Sequence, residues 1–363
     1  MDARNALMRA GPNKNIDFQR SAGGTMQDDY CDTDSQVVDP GLLIVDSHHH
    51  LWSGPHGRYL LDEFAADLNS GHQVQATVYV ECGAMYRTQG PTTHRTVGEA
   101  EFAAGMAAMS ESGLWGPARA CAAFVGAVDL TMGSELDSVL DALHAASGGR
   151  LRGIRGAAAW DVDPSINTGI RPYAPQGLLR DARFRTGVAR LAERGMTYDA
   201  WQYHPQLPDL CDLADAFPDL PIVVNHCGGL LGVGAYAQAG QFDRWAALVA
   251  DTARRPNTTM KLGGLSPRRC GFGFESRKEN PTAEQIAHQW RPYIETCIEH
   301  FGPSRCMFES NFPPDNAAGT YRTVWNALKL TASGYSAVEK EALFAGTARR
   351  VYTLPTADGV SCV

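Results

Sequence analysis

The sequence has 363 residues, of which 44% are hydrophobic and 20% are charged, and its formal net charge at pH 7 is −8. This composition is typical of a globular chain with a large core and excludes fibrous and disordered proteins. No basic cluster is dense enough to indicate a nucleic-acid-binding surface, so we expect no nucleic-acid partner.

The chain contains no apolar segment of signal-peptide or membrane-spanning length. The nine cysteines are scattered, and none belongs to a CxxC pair. We therefore expect buried free thiols in a reducing compartment rather than a disulfide framework, a cytoplasmic location and no membrane partner.

The organisation along the chain predicts one domain with a polar extension. Residues 1–40 show no clear period and include DDYCDTD, which indicates an irregular N-terminal arm. Residues 41–355 form the predicted domain, and residues 356–363 a C-terminal tail. The arm and the helical outer surface expected of the domain make a homodimer a reasonable prediction.

Eight short apolar or β-branched runs alternate with longer segments of helical spacing. The runs are LLIVDS (42–47), ATVYVE (76–81), CAAFVGAVDL (121–130), LRGIRG (151–156), MTYDAWQY (196–203), PIVVNH (221–226), TTMKLGG (258–264) and RCMFES (305–310). This order predicts an α/β fold, a (β/α)8 TIM barrel. An open doubly wound sheet is the alternative, disfavoured because no GxGxxG turn follows the first run.

The predicted strand ends carry many of the chain's histidines. In a barrel the catalytic groups lie where strands end, and five of the 11 histidines lie there: His48, His49, His50, His204 and His226. Because side chains alternate along a strand, His48 and His50 share one face, where two imidazoles suit zinc or another divalent metal. His49 faces the strand–helix interface. The alternative is a set of hydrogen-bonded core histidines.

The segment DSHHHLW (46–52) resembles the D-x-H-x-H-x-W opening of the amidohydrolase superfamily. Its amidohydrolase-related branch includes sugar lactonases, pyrone-dicarboxylate lactonase and metal-dependent decarboxylases. The later runs, including IVVNHCGG (222–229) and RCMFESNFPPDN (305–316), resemble its strand segments in order. The resemblance covers about residues 42–354. It implies that His48, His50 and His204 hold a metal and that His226 binds metal or polarises the scissile carbonyl.

Two positions depart from the pattern of this branch. Where the family has a bridging lysine or a glutamate on strand four, GIRG offers only Arg155, so we reject a binuclear centre. Arg155 suits a carboxylate or oxyanion, or else a salt bridge at the barrel mouth. Asn311 replaces the usual strand-eight aspartate and cannot act as the base. Glu309 or Asp315 supplies the carboxylate, or no base acts from strand eight. A structural ion pair with an arginine or Lys261 is the alternative for Glu309.

Five further residues are predicted to contact substrate. They lie at strand ends or in the polar loop after strand two, and are Trp52, Glu81, Tyr86, Arg87 and Tyr203. The aromatic rings are expected to line a pocket for a small molecule, and the loop is expected to form a lid. A solvated loop is the alternative for Tyr86 and Arg87.

The resemblance and the residues together predict a hydrolase of a small cyclic ester, a lactone, or a related C–O or C–N bond. Water would be activated by one divalent metal, most simply zinc, or by Glu309 at a metal-free site. A decarboxylase of an aromatic or unsaturated carboxylic acid is one alternative. A non-catalytic ligand-binding barrel is another, supported only by Asn311.

Overall fold

The computed structural model describes residues 36–54, 57–167 and 174–354. Most of the predicted arm and the whole predicted tail lie outside these ranges. Eight strands form one sheet in which each strand pairs in parallel with the next along the chain. They are β1 Leu43–His49, β2 Gln73–Val80, β3 Arg119–Gly126, β4 Leu151–Ala157, β5 Thr197–Trp201, β6 Ile222–Val224, β7 Thr258–Leu262 and β8 Cys306–Phe308. The predicted (β/α)8 barrel is confirmed.

Helices separate the strands and cover the outside of the sheet. They are α1 Leu61–Leu68, α2 Val97–Glu111, α3 Leu136–Ala146, α4 Ala182–Glu193, α5 Leu207–Ala216, α6 Gln241–Ala253, α7 Ala283–Phe301, α8 Tyr321–Thr331, α9 Ala337–Glu341 and α10 Thr347–Val351. Side-chain caps explain several starts: Asp181 before α4, Thr282 before α7 and Thr320 before α8 each accept hydrogen bonds from the first turn. Within the described ranges, no helix is both long and apolar enough to span a membrane.

The C-terminal segment covers the amino-terminal end of the strands. Tyr352 and Leu354 share an apolar cluster with strand residues such as Val45 and Val223. Arg152, at the start of β4, donates a hydrogen bond of 2.9 Å to the carbonyl of Tyr352. Because this end is filled by apolar side chains, polar groups are gathered at the opposite, carboxyl-terminal end.

Closure of the barrel depends on bonds between β1 and the segment after β8. The Asn311 N–H donates to the carbonyl of His48 (2.9 Å), and the His50 N–H donates to the carbonyl of Phe312 (2.8 Å). The buried carboxylate of Asp46 accepts from the N–H of Ser310 (2.9 Å) and its hydroxyl (2.6 Å). These bonds fix the histidine-bearing end of β1 against the end of β8.

A tyrosine on α8 adds to the hydrogen bonds that Asp46 makes with Ser310. We call the contacts of Asp46 with Ser310 and Tyr321 the clasp. The hydroxyl of Tyr321 donates to Asp46 Oδ2 at 3.1 Å. Burial raises the pKa of Asp46 to about 6, so the carboxylate is mainly ionised at pH 7. A hydrogen bond to a buried charged acceptor contributes more than one between neutral groups.

We predict that Tyr321→Phe lowers the free energy of unfolding at pH 7 by about 1.5–3 kcal/mol, because it removes one hydrogen bond from a buried carboxylate. Guanidinium denaturation measures the change. Tyr335→Phe is the control, since the described residues offer its hydroxyl no hydrogen-bond partner. Equal stabilities of the two variants would contradict this account of the clasp.

Candidate active site

The centre of the carboxyl-terminal end is the carboxylate of Glu309, which directly follows β8 and is fully buried. Its Oε1 lies 2.7 Å from Nδ1 of His226, and its Oε2 lies 2.9 Å from Nδ1 of His48. The two imidazole rings are themselves 4.7 Å apart between centroids. One carboxylate therefore contacts two histidines, one on β1 and one just after β6.

Two glycines after β7 make this arrangement sterically possible. A Cβ on Gly263 would lie 2.5 Å from Cγ of Glu309, and a Cβ on Gly264 would lie 2.1 Å from Nδ1 of His226. Gly264 also has a φ of +63°, a conformation that favours glycine. The GG of TTMKLGG is thus required for the close approach of these side chains.

His50 presents an unprotonated nitrogen to His48. Its Nδ1 lies 2.7 Å from the carbonyl oxygen of Val80, and because a carbonyl only accepts, Nδ1 is the donor. The other nitrogen, Nε2, therefore carries a lone pair and lies 3.2 Å from Nε2 of His48. A backbone carbonyl orienting the remote nitrogen is typical of metal-binding histidines. Trp52 stacks on His50 with centroids 6.2 Å apart.

The strand alternation correctly separates His49 from its neighbours. Its Nε2 lies 2.8 Å from the Thr77 hydroxyl, and its ring stacks on Phe64 of α1 at 4.1 Å. His49 thus fills the strand–helix interface and takes no part in the polar centre.

Arg155 and Glu81 form an ion pair at the mouth of the barrel. The guanidinium Nε lies 2.7 Å from Glu81 Oε1, and Nη2 also donates to the Glu81 carbonyl. Nη1 reaches to 3.3 Å from Nε2 of His48. This ion pair is the salt bridge that the sequence analysis gave as the alternative role of Arg155. It places the guanidinium next to His48. Contact of either residue with substrate remains a prediction.

A second buried ion pair lies below His48, and sequence reasoning missed it. The ammonium group of Lys261 lies 3.2 Å from Asp199 Oδ2 and 3.4 Å from Nδ1 of His48. Asp199 also accepts from the hydroxyls of Tyr352 (2.6 Å) and Thr197 (2.9 Å). The available signal was a charged residue in the middle of each apolar strand, in TYDAW and TTMKL. From the sequence, Lys261 is expected only as a partner for Glu309.

The burial of these groups decides their protonation. Burial raises the pKa of Glu309 to about 8, although the positive charges of Lys261 and Arg155 oppose the rise. Burial, together with Lys261, lowers the pKa of His48, and burial with Arg269 lowers that of His226. Near neutral pH the imidazoles are therefore uncharged, and the carboxyl group is poised to exchange a proton.

Asn311 and Asp315 form a neighbouring pair. Nδ2 of Asn311 donates to Asp315 Oδ1 at 2.7 Å, and the N–H of Asp315 donates back to the Asn311 carbonyl at 3.1 Å. The loop after β8 therefore returns Asp315 to the site. Burial raises the pKa of Asp315 to about 8, and the charge of Glu309 adds to the rise.

The remaining predicted residues have other contacts. Nδ1 of His204 accepts from the Leu231 N–H at 3.2 Å. The Tyr203 hydroxyl donates to the carbonyl of Ile166 at 3.4 Å within a small apolar cluster. Neither side chain is grouped with Glu309, and their predicted functional roles remain predictions.

The loop after β2 holds the last two predicted residues. Arg87 is exposed and pairs with Glu101 of α2, where Nε lies 3.1 Å from Oε2. Tyr86 beside it is half-buried. The lid predicted for this loop, and contact of Tyr86 or Arg87 with substrate, remain predictions.

The comparison with known proteins assigns the family. A family model described as "Amidohydrolase" matches residues 45–354. The chain belongs to the amidohydrolase family. The resemblance is thereby confirmed, and the protein is an enzyme of a hydrolase family. This membership disfavours the alternative of a non-catalytic barrel.

Individual relatives of this amidohydrolase span nearly its whole domain. An uncharacterized protein of Sinorhizobium fredii is 29% identical over 334 residues, covering 86% of this chain and 98% of the relative. An L-fucono-1,5-lactonase of Burkholderia multivorans is 28% identical, and the match covers 87% of this chain and 97% of the lactonase. An amidohydrolase of B. multivorans, solved with bound zinc, is 25% identical with a TM-score of 0.65, covering 86% of this chain and all of that one.

The amidohydrolase carries a donor set that suits a metal ion. Ligand atoms of His48, His226 and Glu309 all lie within 4.8 Å of one another, and all three residues are buried. Two imidazole nitrogens and one carboxylate oxygen are a known ligand combination of catalytic zinc sites. The set predicted from sequence was His48, His50 and His204, of which only His48 belongs to this group. His226, expected either to bind metal or to polarise the carbonyl, belongs to it as well.

We predict that Lys261→Met lowers the free energy of unfolding by about 3–5 kcal/mol, because it leaves the Asp199 charge buried without its cation. The double variant Lys261→Met/Asp199→Asn serves as the control and is expected to recover at least about 1 kcal/mol of that loss. Chemical denaturation at pH 7 measures both. A single variant as stable as the wild type would show that the ion pair is dispensable.

Proposed function

We propose that this amidohydrolase hydrolyses a small cyclic ester, a lactone, to the open-chain hydroxy acid. The observation that carries the proposal is the buried Glu309 carboxyl group between His48 and His226, at 2.9 and 2.7 Å. The relative named L-fucono-1,5-lactonase supports a lactone as the substrate class. Water adds to the ester carbonyl carbon, and the bond to the ring oxygen then breaks.

Glu309 and His226 carry out the proton transfers of this reaction. The Glu309 carboxylate, hydrogen-bonded to His226, takes a proton from the attacking water. The same pair returns a proton to the ring oxygen as it leaves, so the pair is regenerated. In the metal-free site, the raised pKa of Glu309, about 8, matches a group that both accepts and donates near neutral pH. A Glu309 bound to a metal ion would stay ionised and would no longer donate the proton.

We infer that one divalent metal, zinc by analogy with the solved relative, is held by His48, His226 and Glu309. When bound, such an ion polarises the ester carbonyl and lowers the pKa of water. The chain's own contribution is to orient a donor: Arg155 and Lys261 contact the ring of His48. Val80 fixes the ring of the neighbouring His50.

We predict that Glu309→Gln lowers kcat/KM for lactone hydrolysis by about 100-fold or more, because an amide neither takes nor donates the proton. The assay measures the protons released when the enzyme hydrolyses each of a panel of neutral sugar lactones. Glu99→Gln is the matched control: Glu99 is also buried, and its Oε1 accepts hydrogen bonds from Tyr79, Cys82 and Ala84, which an amide oxygen preserves.

Wild-type rates in Glu309→Gln would remove Glu309 from the mechanism. Carbon dioxide release from an aromatic acid, with no lactone hydrolysed, would instead support the decarboxylase alternative. Loss of activity in both glutamine variants would assign the effect to disturbed packing. Only a selective loss in Glu309→Gln supports the proposal.

We predict that zinc binding releases about one proton at pH 7. Glu309, with a pKa of about 8, holds a proton there and must lose it to become a ligand. The zinc affinity therefore rises about tenfold per pH unit up to pH 8 and levels off above it. Calorimetry in two buffers of different ionisation enthalpy measures the proton count.

The matched variants for this measurement are two histidine substitutions. His226→Gln removes a proposed ligand and should weaken zinc binding by at least about tenfold. His144→Gln, on the exposed part of α3, should leave the affinity unchanged. Zinc binding that ignores pH between 6 and 8, or that survives His226→Gln, would contradict the assigned ligands.

A further inference from the structure

Two guanidinium groups flank the same indole ring at the mouth of the barrel. The Cζ atoms of Arg155 and Arg269 lie 6.0 and 5.7 Å from the ring centroid of Trp201, the last residue of β5. Stacking on an aromatic face orients a guanidinium while leaving its N–H groups available to a ligand. The two arginines differ in their other partners.

The cations of the site differ in whether a carboxylate neutralises them. Arg155 pairs with Glu81, and Lys261 pairs with Asp199. Within the described part of the chain, no carboxylate lies at ion-pair distance from the half-buried guanidinium of Arg269. Its charge is thus the one among these three that no acidic side chain contacts.

The backbone fixes Arg269 next to the reaction centre. Its carbonyl accepts from the N–H of Gly232 at 2.8 Å, which ties the loop after β7 to the loop after β6. The adjacent Cys270 thiol lies 3.6 Å from the carbonyl of Gly264, the glycine whose Cα faces His226. Arg269 therefore sits on the loop that packs against the histidine–carboxylate centre.

We propose that Arg269, held against Trp201, binds an ionised carboxylate of the substrate, so that the site takes a lactone bearing a second acidic group. This inference rests on the proposed lactonase function and specifies its substrate class. A carboxylate fits because the planar fork of a guanidinium donates two parallel hydrogen bonds to its two oxygens. A neutral sugar lactone would leave a half-buried cation without a counter-charge, which costs free energy.

The experiment compares two lactones that differ only in this group. D-glucaro-1,4-lactone carries a carboxylate where D-glucono-1,4-lactone carries a hydroxymethyl group. KM and kcat are measured for wild type, Arg269→Gln, Arg269→Lys and the control Arg268→Gln, whose arginine is exposed one residue earlier. If neither lactone is turned over, calorimetry gives Kd for both, so failure of the proposed reaction is distinguished from failure of this inference.

We expect the wild type to prefer the anionic lactone by about tenfold or more in KM or Kd. Arg269→Gln should abolish that preference, Arg269→Lys should retain part of it, and Arg268→Gln should keep all of it. Equal affinity of the wild type for the two lactones would overturn the inference. So would a preference that survives Arg269→Gln, or one that Arg268→Gln removes equally.

Discussion

The structure of the active site depends on placing one carboxyl group, that of Glu309, in complete isolation from solvent. An isolated buried carboxylate is strongly unfavourable, so its surroundings must hydrogen-bond it, neutralise it or protonate it. His48 and His226 supply the contacts, and Gly263 and Gly264 supply the space. The clasp at Asp46 serves the same end, because it fixes β1 beside the end of β8.

The same constraint explains the charge pattern around the centre. Two cations near the centre are paired with acids of their own, Arg155 with Glu81 and Lys261 with Asp199, and neither forms a direct ion pair with Glu309. The carboxyl group therefore keeps a raised pKa, about 8, instead of becoming a permanent anion. A group in this state can carry a proton in and out of a reaction, which a tight ion pair with lysine would prevent.

The sequence predicts the barrel and part of the site, because both depend on the local pattern of apolar and polar residues along the chain. Strand alternation correctly turned His49 towards α1, and the strand-end rule led to His48, His226 and Glu309. The sequence did not decide whether Glu309, Asp315 or neither replaces the usual strand-eight aspartate, because that choice depends on contacts between distant strands. The pairing of Asp199 with Lys261, 62 residues apart, arises from the same long-range geometry. The return of Asp315 to Asn311 depends instead on the local conformation of the loop after β8.

The identity of the metal ligands tests the central claim most directly. A crystal of the full chain soaked in zinc should show an anomalous diffraction peak within coordinating distance of His48, His226 and Glu309. The account predicts that the peak is lost in crystals of Glu309→Gln. A peak held by His48, His50 and His204, or one that persists without the Glu309 carboxylate, would contradict it and restore the ligand set suggested by the sequence.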